Sequence, residues 1–287
     1  MLTASTRYLV LSAFFAAAVL LLSPAVVRAQ EEGRSYALAI VPQYSPLDVH
    51  QAWSPVLDHI RSKWGISIHL VTYDGFSGFI EGLKKGQPDL AYMAPYHLVL
   101  ARREQGYVPL VRSNKQPLIG ILVVPQNSAI QDIQGLAGAR IAFPSPNAFA
   151  ASLYLRAQLD SKGIKYQPVY VKNHSNVYRL VVQKNFHGGV EAGGGVNLSF
   201  AKQPEDTQRQ LRVIYETPPL VAHPVCSHPR VPEKDRQIIT QAILELGATP
   251  EGQELLEAIQ LSMPVTTDYE EYRPIEKLQL ERLMKME

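Results

Sequence analysis

The chain runs to 287 residues, 46% of them hydrophobic and 19% charged, with 21 Pro, 18 Gly, 14 Tyr and one Cys. That length suits about two domains of ~100–200 residues each, and the composition excludes a wholly disordered or collagen-like chain. A single Cys excludes an intramolecular disulfide framework and any all-Cys zinc site, and a net charge of +2 gives no support to nucleic-acid binding.

Arg7 is followed by a mainly apolar stretch over 8–22 and a small-x-small ending at Val27-Arg28-Ala29. This reads as a cleavable secretory signal peptide over residues 1–29. The apolar stretch falls short of the ~20 residues a membrane-spanning helix needs, and no cysteine follows it for lipid attachment. Arg7 and Arg28 leave with the leader and no acid does, so basic and acidic residues balance in the remainder. An exported, electroneutral chain points to small molecules or proteins as partners.

Short apolar runs then alternate with amphipathic stretches. YALAIV (36–41) predicts a buried strand ended by Pro42. Residues 46–65 predict a helix with Leu47, Val49, Trp53, Val56, Leu57 and Ile60 on one face, kinked or divided at Pro55. A strand over 66–71, a helix over 76–85 and a strand over 89–93 follow, then a helix over 95–105 with Pro in its first turn and a strand over 107–111. The alternation implies parallel pairing through right-handed crossovers, hence an α/β chain.

A second α/β unit begins with the apolar strand 117–125. It continues with a short turn over 130–136, a strand over 139–143, a helix over 148–162 and a strand over 166–171. A helix over 175–184, a short strand near 189–192 and a strand over 211–216 complete it. The Pro-rich segment 217–232 reads as extended. Helices over 234–247, 250–259 and 270–285 close the chain and should pack back on the first unit, since no strands remain to pair with them. Extended connections near 112–120 and 216–224 fit two hinged lobes, and equally one doubly wound domain with a helical tail; the pattern leaves both open.

Candidate binding residues sit at strand-to-helix junctions, where loops converge in open α/β sheets. PQYSP (42–46) offers Gln43, Tyr44 and Ser45. MAPYH (93–97) presents Tyr96 and His97 at a helix start, where free amides attract anions. FPSPNAFAAS (143–152) carries Ser145, Asn147 and Ser152, and KNHSNVYR (172–179) places Asn173, His174 and Ser175 at another helix start, with Asn173 or Ser175 as its cap. The run EAGGGV (191–196) lacks the spacing of a nucleotide loop; its glycines suit close approach of backbone to a ligand or another loop. No His-Glu-x-x-His pair or Gly-x-Ser-x-Gly elbow is present, and Cys226 has no adjacent base, so the sequence carries no motif for nucleophilic or metal catalysis.

The order of AIVPQYSP (39–46), Trp53, GQPDLAYMAPYHLV (86–99), IQDIQGLAGARIAFPSPNAFAAS (130–152), NHSNVYRLV (173–181) and EAGGGV (191–196) resembles the periplasmic phosphate/phosphite/phosphonate-binding proteins of ABC importers. The resemblance spans roughly residues 36–260. It implies a two-lobed periplasmic binding protein fold with a double crossover hinge and C-terminal helices. The signal peptide (1–29) would precede a first lobe over 30–117, an inserted second lobe over 118–216, and a return to the first lobe with the C-terminal helices over 217–287.

In that family the phosphorus oxyanion is surrounded by a tyrosine after the first strand, the loop after the third, a hydroxyl-rich loop at a helix start in the inserted lobe, and a histidine further on. The matching positions are Tyr44, the segment Ala94 to Tyr96, the loop Ser145 to Ser152, and His174. The resulting ligand set is Tyr44, Ala94, Tyr96, Ser145, Asn147, Ser152, His174, Ser175 and Glu191, with no metal and no cofactor. One departure stands out: Ala148-Phe149-Ala150-Ala151 replaces the family's hydroxyl triplet, removing donors worth ~1.5–3 kcal/mol each to a charged ligand. The resemblance implies a monomeric solute-binding protein, not an enzyme, located in the periplasm and docking on an inner-membrane ABC permease. The alternative on the same cleft is a sensory protein that presents a small oxyanion or other polar ligand to a membrane histidine kinase.

Overall fold

The computed structural model describes residues 34–183 and 189–284, so the leader expected over 1–29 lies outside the described residues. The first strand, β1 (Ser35–Ile40), leads through a short loop into α1 (Pro46–Trp64). Ser45 caps that helix by accepting from the Asp48 amide (3.2 Å), and Gly65, with φ of 68°, ends it by donating to Arg61 O. Pro55 neither divides nor ends α1. It lies on the exposed side of one 19-residue helix, while Trp53, Val56, Leu57 and Ile60 form the buried face; of the two other residues expected there, Leu47 is 65% exposed and Val49 half-buried, because both sit in the first turn, at the edge of the core.

Then follow β2 (Ser67–Val71), α2 (Gly75–Lys84), β3 (Leu90–Tyr92), α3 (Pro95–Gln105) and β4 (Val108–Ser113). The second group comprises β5 (Gly120–Pro125), β6 (Arg140–Phe143), a π-helical turn (Phe149–Tyr154) continuing into α4 (Leu155–Ser161), and β7 (Gln167–Tyr170). It continues with α5 (His174–Val182), β8 (Ala192–Val196), two five-residue helices, α6 (Asn197–Ala201) and α7 (Glu205–Arg209), and β9 (Leu211–Glu216). The chain returns with β10 (Pro224–Ser227), α8 (Glu233–Leu246), α9 (Pro250–Ala258), β11 (Pro264–Thr266) and α10 (Arg273–Glu276).

These strands form two sheets, ordered β11-β4-β10-β3-β1-β2 and β7-β6-β8-β5-β9. Pairing is mixed, not parallel throughout. β1 runs parallel to β2 and β3, but β10 inserts antiparallel between β3 and β4 and β11 lies antiparallel on β4. In the second sheet β6 is parallel to β7 and β8, and β5 is antiparallel to β8 and β9. The chain thus leaves the first sheet after β4, builds the second, and re-enters the first as a central strand. The two connections run side by side: Leu118 and Leu220 exchange backbone hydrogen bonds (3.0 and 2.9 Å), and Thr217 N donates to Gly120 O at 2.8 Å. This is the two-lobed α/β fold with a double crossover.

The C-terminal helices cover the first lobe, where Ile239, Ile243 and Leu256 share a core with Trp53, Val56 and Ile60. The single helix expected over 270–285 is instead a 3₁₀ turn (Tyr269–Tyr272), α10 and a second 3₁₀ turn (Leu280–Leu283). Pro274 stands in the first turn of α10, where a proline is favoured, Gln279 adopts a left-handed conformation (φ 47°), and the Leu280 amide is drawn off to Tyr96 Oη at 2.9 Å. Buried Arg156 ties this tail to the second lobe, donating to Pro146 O and to Leu283 O at 2.9 Å each.

The glycines expected after a short strand near 189–192 lie inside β8 itself, at the middle of the second sheet. A Cβ on Gly194 would stand 2.5 Å from Ala151 O and from the Phe143 ring, and one on Gly195 would collide with Tyr178 Oη. The run therefore serves close packing of β8 beneath α5 and the loop after β6. Because a backbone carbonyl cannot rotate away, Gly194→Ala is expected to cost about 1–3 kcal/mol, read as a lower denaturant midpoint at unchanged m-value; an unchanged midpoint would show that β8 can shift.

Candidate functional site

The loops that leave the carboxyl ends of β1, β3, β6 and β7 meet between the two lobes. Gln43 and Tyr44 follow β1, Ala94 follows β3, Ser145 to Ala151 follow β6, and Asn173 and His174 follow β7. Asn173 caps α5 by accepting from the Asn176 amide (2.9 Å), which fixes His174 as the first residue of the helix. At the centre lies a cavity of only about 10 Å³, bounded by Gln43, Ala94, His174 and His223 and by the apolar wall Ala148 to Ala151.

Two buried histidines, His174 and His223, line this cavity, and a third, His97, is bonded to Asn147 of the loop after β6. His97 Nε2 donates to Asn147 O across the lobes at 3.0 Å, leaving its Nδ1 without a partner. Gln43 Nε2 donates to His223 Nε2 at 3.1 Å, which puts the ring proton on an unpartnered Nδ1. His174 Nδ1 pairs with Ser199 Oγ at 3.0 Å, and Ser199 is also joined to Tyr178 Oη at 2.8 Å. Burial pulls His97 and His174 down to about 4. His223 falls to about 3, through burial and then through repulsion from the other two. All three are neutral at pH 7.

Two larger spaces flank the centre, with Tyr44 in the wall of both. One is a chamber of about 300 Å³ lined by Gln43, Tyr44, Trp53, Tyr92, Ser175 and Lys202, among others. Tyr44 Oη accepts from Gln260 Nε2 (2.7 Å), its ring lies 5.7 Å from Lys202 Nζ, and burial pushes its hydroxyl up to about 12. The other space is a groove of about 780 Å³ running past Ser45, Tyr73, Ser145 and Asn173.

The structure therefore brings Tyr44, Ala94, Ser145, His174 and Ser175 to the spaces between the lobes. Asn147 is fully buried; its carbonyl serves His97 and its amide reaches Ser77 Oγ at 3.2 Å. Ser152 is buried with its hydroxyl unpartnered. Tyr96 turns its hydroxyl to the Leu280 amide and stacks on Phe149 (5.9 Å), so it braces the tail and the loop instead of facing a cavity.

Glu191 is not brought to this region. It stands exposed at the amino end of β8, accepting from the Arg140 amide at the amino end of β6 (2.7 Å). The candidate loops leave the opposite, carboxyl ends of these parallel strands. The residues that sequence reasoning passed over are His223 and Lys202. His223 precedes β10 in a Pro-rich stretch and stacks on Tyr92 (5.6 Å) only because β10 pairs with β3. Lys202 follows the short helix α6, which has no periodic signal.

At the loop after β6, the side chains of Ala148, Phe149, Ala150 and Ala151 are buried. The amides of Phe149, Ala150 and Ala151 stand in the first turn of a helix, where no intrahelical acceptor exists. Among the described residues, no group of three or more His, Cys, Asp or Glu is placed to hold a metal ion, and no helix is long and apolar enough to cross a membrane.

The profile of the family described as "ABC transporter, phosphonate, periplasmic substrate-binding protein" matches residues 38–272. The phosphonates-binding periplasmic protein of Escherichia coli is 21% identical over 251 residues, covering 83% of this chain and 73% of that protein. Among solved structures, a binding-protein component of a phosphonate ABC transporter from Pseudomonas aeruginosa superposes with a TM-score of 0.75 at 16% identity, covering 88% of each chain. A Prochlorococcus marinus protein solved in complex with methylphosphonate also gives 0.75, at 15% identity, over 86% of this chain and 97% of that one. The chain belongs to the phosphonate family of periplasmic substrate-binding proteins of ABC transporters.

Proposed function

We propose that this protein is the solute receptor of an ABC importer, binding a phosphorus oxyanion of the phosphonate, phosphite or phosphate type between its lobes and presenting the closed form to a permease. The lobes are taken as 30–117 with 217–287, and 118–216. The observation that carries this reading is the convergence of strand-end loops from both sheets on one cleft, beneath two connections that cross side by side. Ligand contacts made from both lobes stabilise closure by hinge motion. Neutral donors and helix-start amides help to hold an oxyanion, and since the three buried histidines are neutral they can contribute to such a site only as neutral donors. No catalytic role is assigned.

A thermal-shift screen against phosphate, phosphite and alkylphosphonates tests this reading. A true ligand at 100 times its Kd stabilises the protein by about 2.7 kcal/mol. Tyr44→Ala is expected to weaken binding of that ligand by roughly ten-fold or more while leaving the far-UV circular dichroism unchanged. Unchanged affinity would place the site elsewhere.

A further inference from the structure

The central cavity has room for about one water molecule, and its loop wall is Ala148, Phe149, Ala150 and Ala151, all buried. A tetrahedral oxyanion does not fit there. The neighbouring chamber of about 300 Å³ reaches the low end of the range typical of small-molecule sites. Gln43 lines both spaces, so the chamber is an extension of the same cleft.

Its chemistry is two-sided. The floor is aromatic: Trp53 and Tyr92 lie 5.3 Å apart with their rings tilted by 56°. The rim is polar and comes from both lobes, with Tyr44 and Gln260 from the first and Ser175 and Lys202 from the second. Lys202 stands at the mouth, with one Nζ proton going to Ala258 O at the end of α9 (3.0 Å). An ammonium has three protons, so two remain for an anion. Lys202 is exposed, yet partial desolvation lowers its pKa while Glu257, itself paired with Lys115 at 2.7 Å, raises it; an anion in the chamber would add to that support. The carboxylate on the lining, Asp48, is turned to Ser45 Oγ at 2.7 Å.

We propose that the ligand seats in this chamber and not against the Ala148–Ala151 loop, and that it is an organophosphonate with its charge at Lys202 and its substituent on the Trp53 and Tyr92 rings. This rests on the phosphorus-oxyanion reading above. It assigns Lys202 as the countercharge and predicts a preference for substituted phosphonates over the inorganic ion.

The test is calorimetric titration of the exported chain with phenylphosphonate, methylphosphonate, inorganic phosphate and phenylsulfonate. Phenylphosphonate should bind about ten-fold tighter than methylphosphonate or phosphate. Lys202→Gln, at an exposed position, should weaken both phosphonates by about ten-fold. Ala52→Phe, which fills the chamber from α1, should remove the advantage of the phenyl group while leaving methylphosphonate within about three-fold. Phosphorus ligands that bind both variants as tightly as the parent overturn the chamber and leave the oxyanion reading standing. If phenylsulfonate binds and responds to both variants while no phosphorus compound binds, the phosphorus assignment falls and the chamber stands. Silence from all four compounds overturns both.

Discussion

Acidification from pH 7.5 to pH 4.5 is expected to remove several kcal/mol of stability, through three histidines that share one region of the fold. His97, His174 and His223 are buried, and their values fall from 6.5 to about 4, about 4 and about 3. Well above pH 6.5, by about pH 7.5, folded and unfolded chains alike hold these rings neutral, and the full stability is present. As the pH falls, the unfolded chain takes up protons that the folded chain refuses, so stability drops until the folded values are reached near pH 4 and, for His223, near pH 3. Each pH unit inside that window is worth about 1.4 kcal/mol per histidine, so three rings together can approach the whole stability of a domain. The groups bonded to the rings are Asn147 O, Ser199 Oγ and Gln43, none of them ionisable in this range.

Because His97 bonds across the lobes to Asn147, part of this loss should appear as opening of the cleft before global unfolding. Denaturant midpoints at pH 7.5, 6 and 5 are the measurement. The parent should decline steadily, and His97→Gln or His223→Gln should decline less, since glutamine offers neutral donors of similar reach. A parent midpoint that stays level from pH 7.5 to pH 5 would mean that these rings are solvated or paired in solution.

Much of the fold is legible from alternating apolar runs: β1, β5, β9, α8 and α9 fall within a few residues of where periodicity puts them. What periodicity cannot supply is pairing. Pro224–Ser227 is four residues that begin on a proline, and only tertiary context makes it a central antiparallel strand. The tail shows the opposite failure. Residues 270–285 carry a helical pattern, but Pro274 and the pull of Tyr96 on Leu280 decide the local conformation.

At the site, the rule that loops gather at the carboxyl ends of parallel strands leads to Tyr44, Ala94 and His174, which line the spaces between the lobes. The same rule, applied strictly, excludes Glu191, because β8 begins just after it and not before. His223 and Lys202 escape because they reach the cleft from an inserted strand and from a five-residue helix. Neither element has a signature in the sequence.

Phe149→Ser should cost about 3–5 kcal/mol of stability, the usual range for truncating a buried aromatic ring, and should not create a tighter oxyanion site. Phe149 is 2% exposed. Its ring is stacked between Tyr96 on α3 (5.9 Å, 16°) and Tyr154 (6.3 Å, 11°), so it joins the second lobe's loop to the first lobe's helix. Residues Ala148 to Ala151 and Tyr154 belong to the same hydrophobic core as Tyr96 and Leu98, and that core is continuous across the cleft.

A serine hydroxyl in this position would be buried in an apolar wall. Three residues on, Ser152 Oγ already lacks a partner. An unsatisfied group of this kind costs about 1–3 kcal/mol, in addition to the cavity left by the ring. The opposite result is equally readable. If the phenyl ring merely covers a pocket that otherwise accepts oxyanions, Phe149→Ser would cost less than about 1 kcal/mol and would tighten binding of phosphate or methylphosphonate through the freed loop amides. Equilibrium unfolding and titration of the one variant with both anions separate the two cases. A loss of stability with no gain in affinity establishes Phe149 as part of the joint between the lobes.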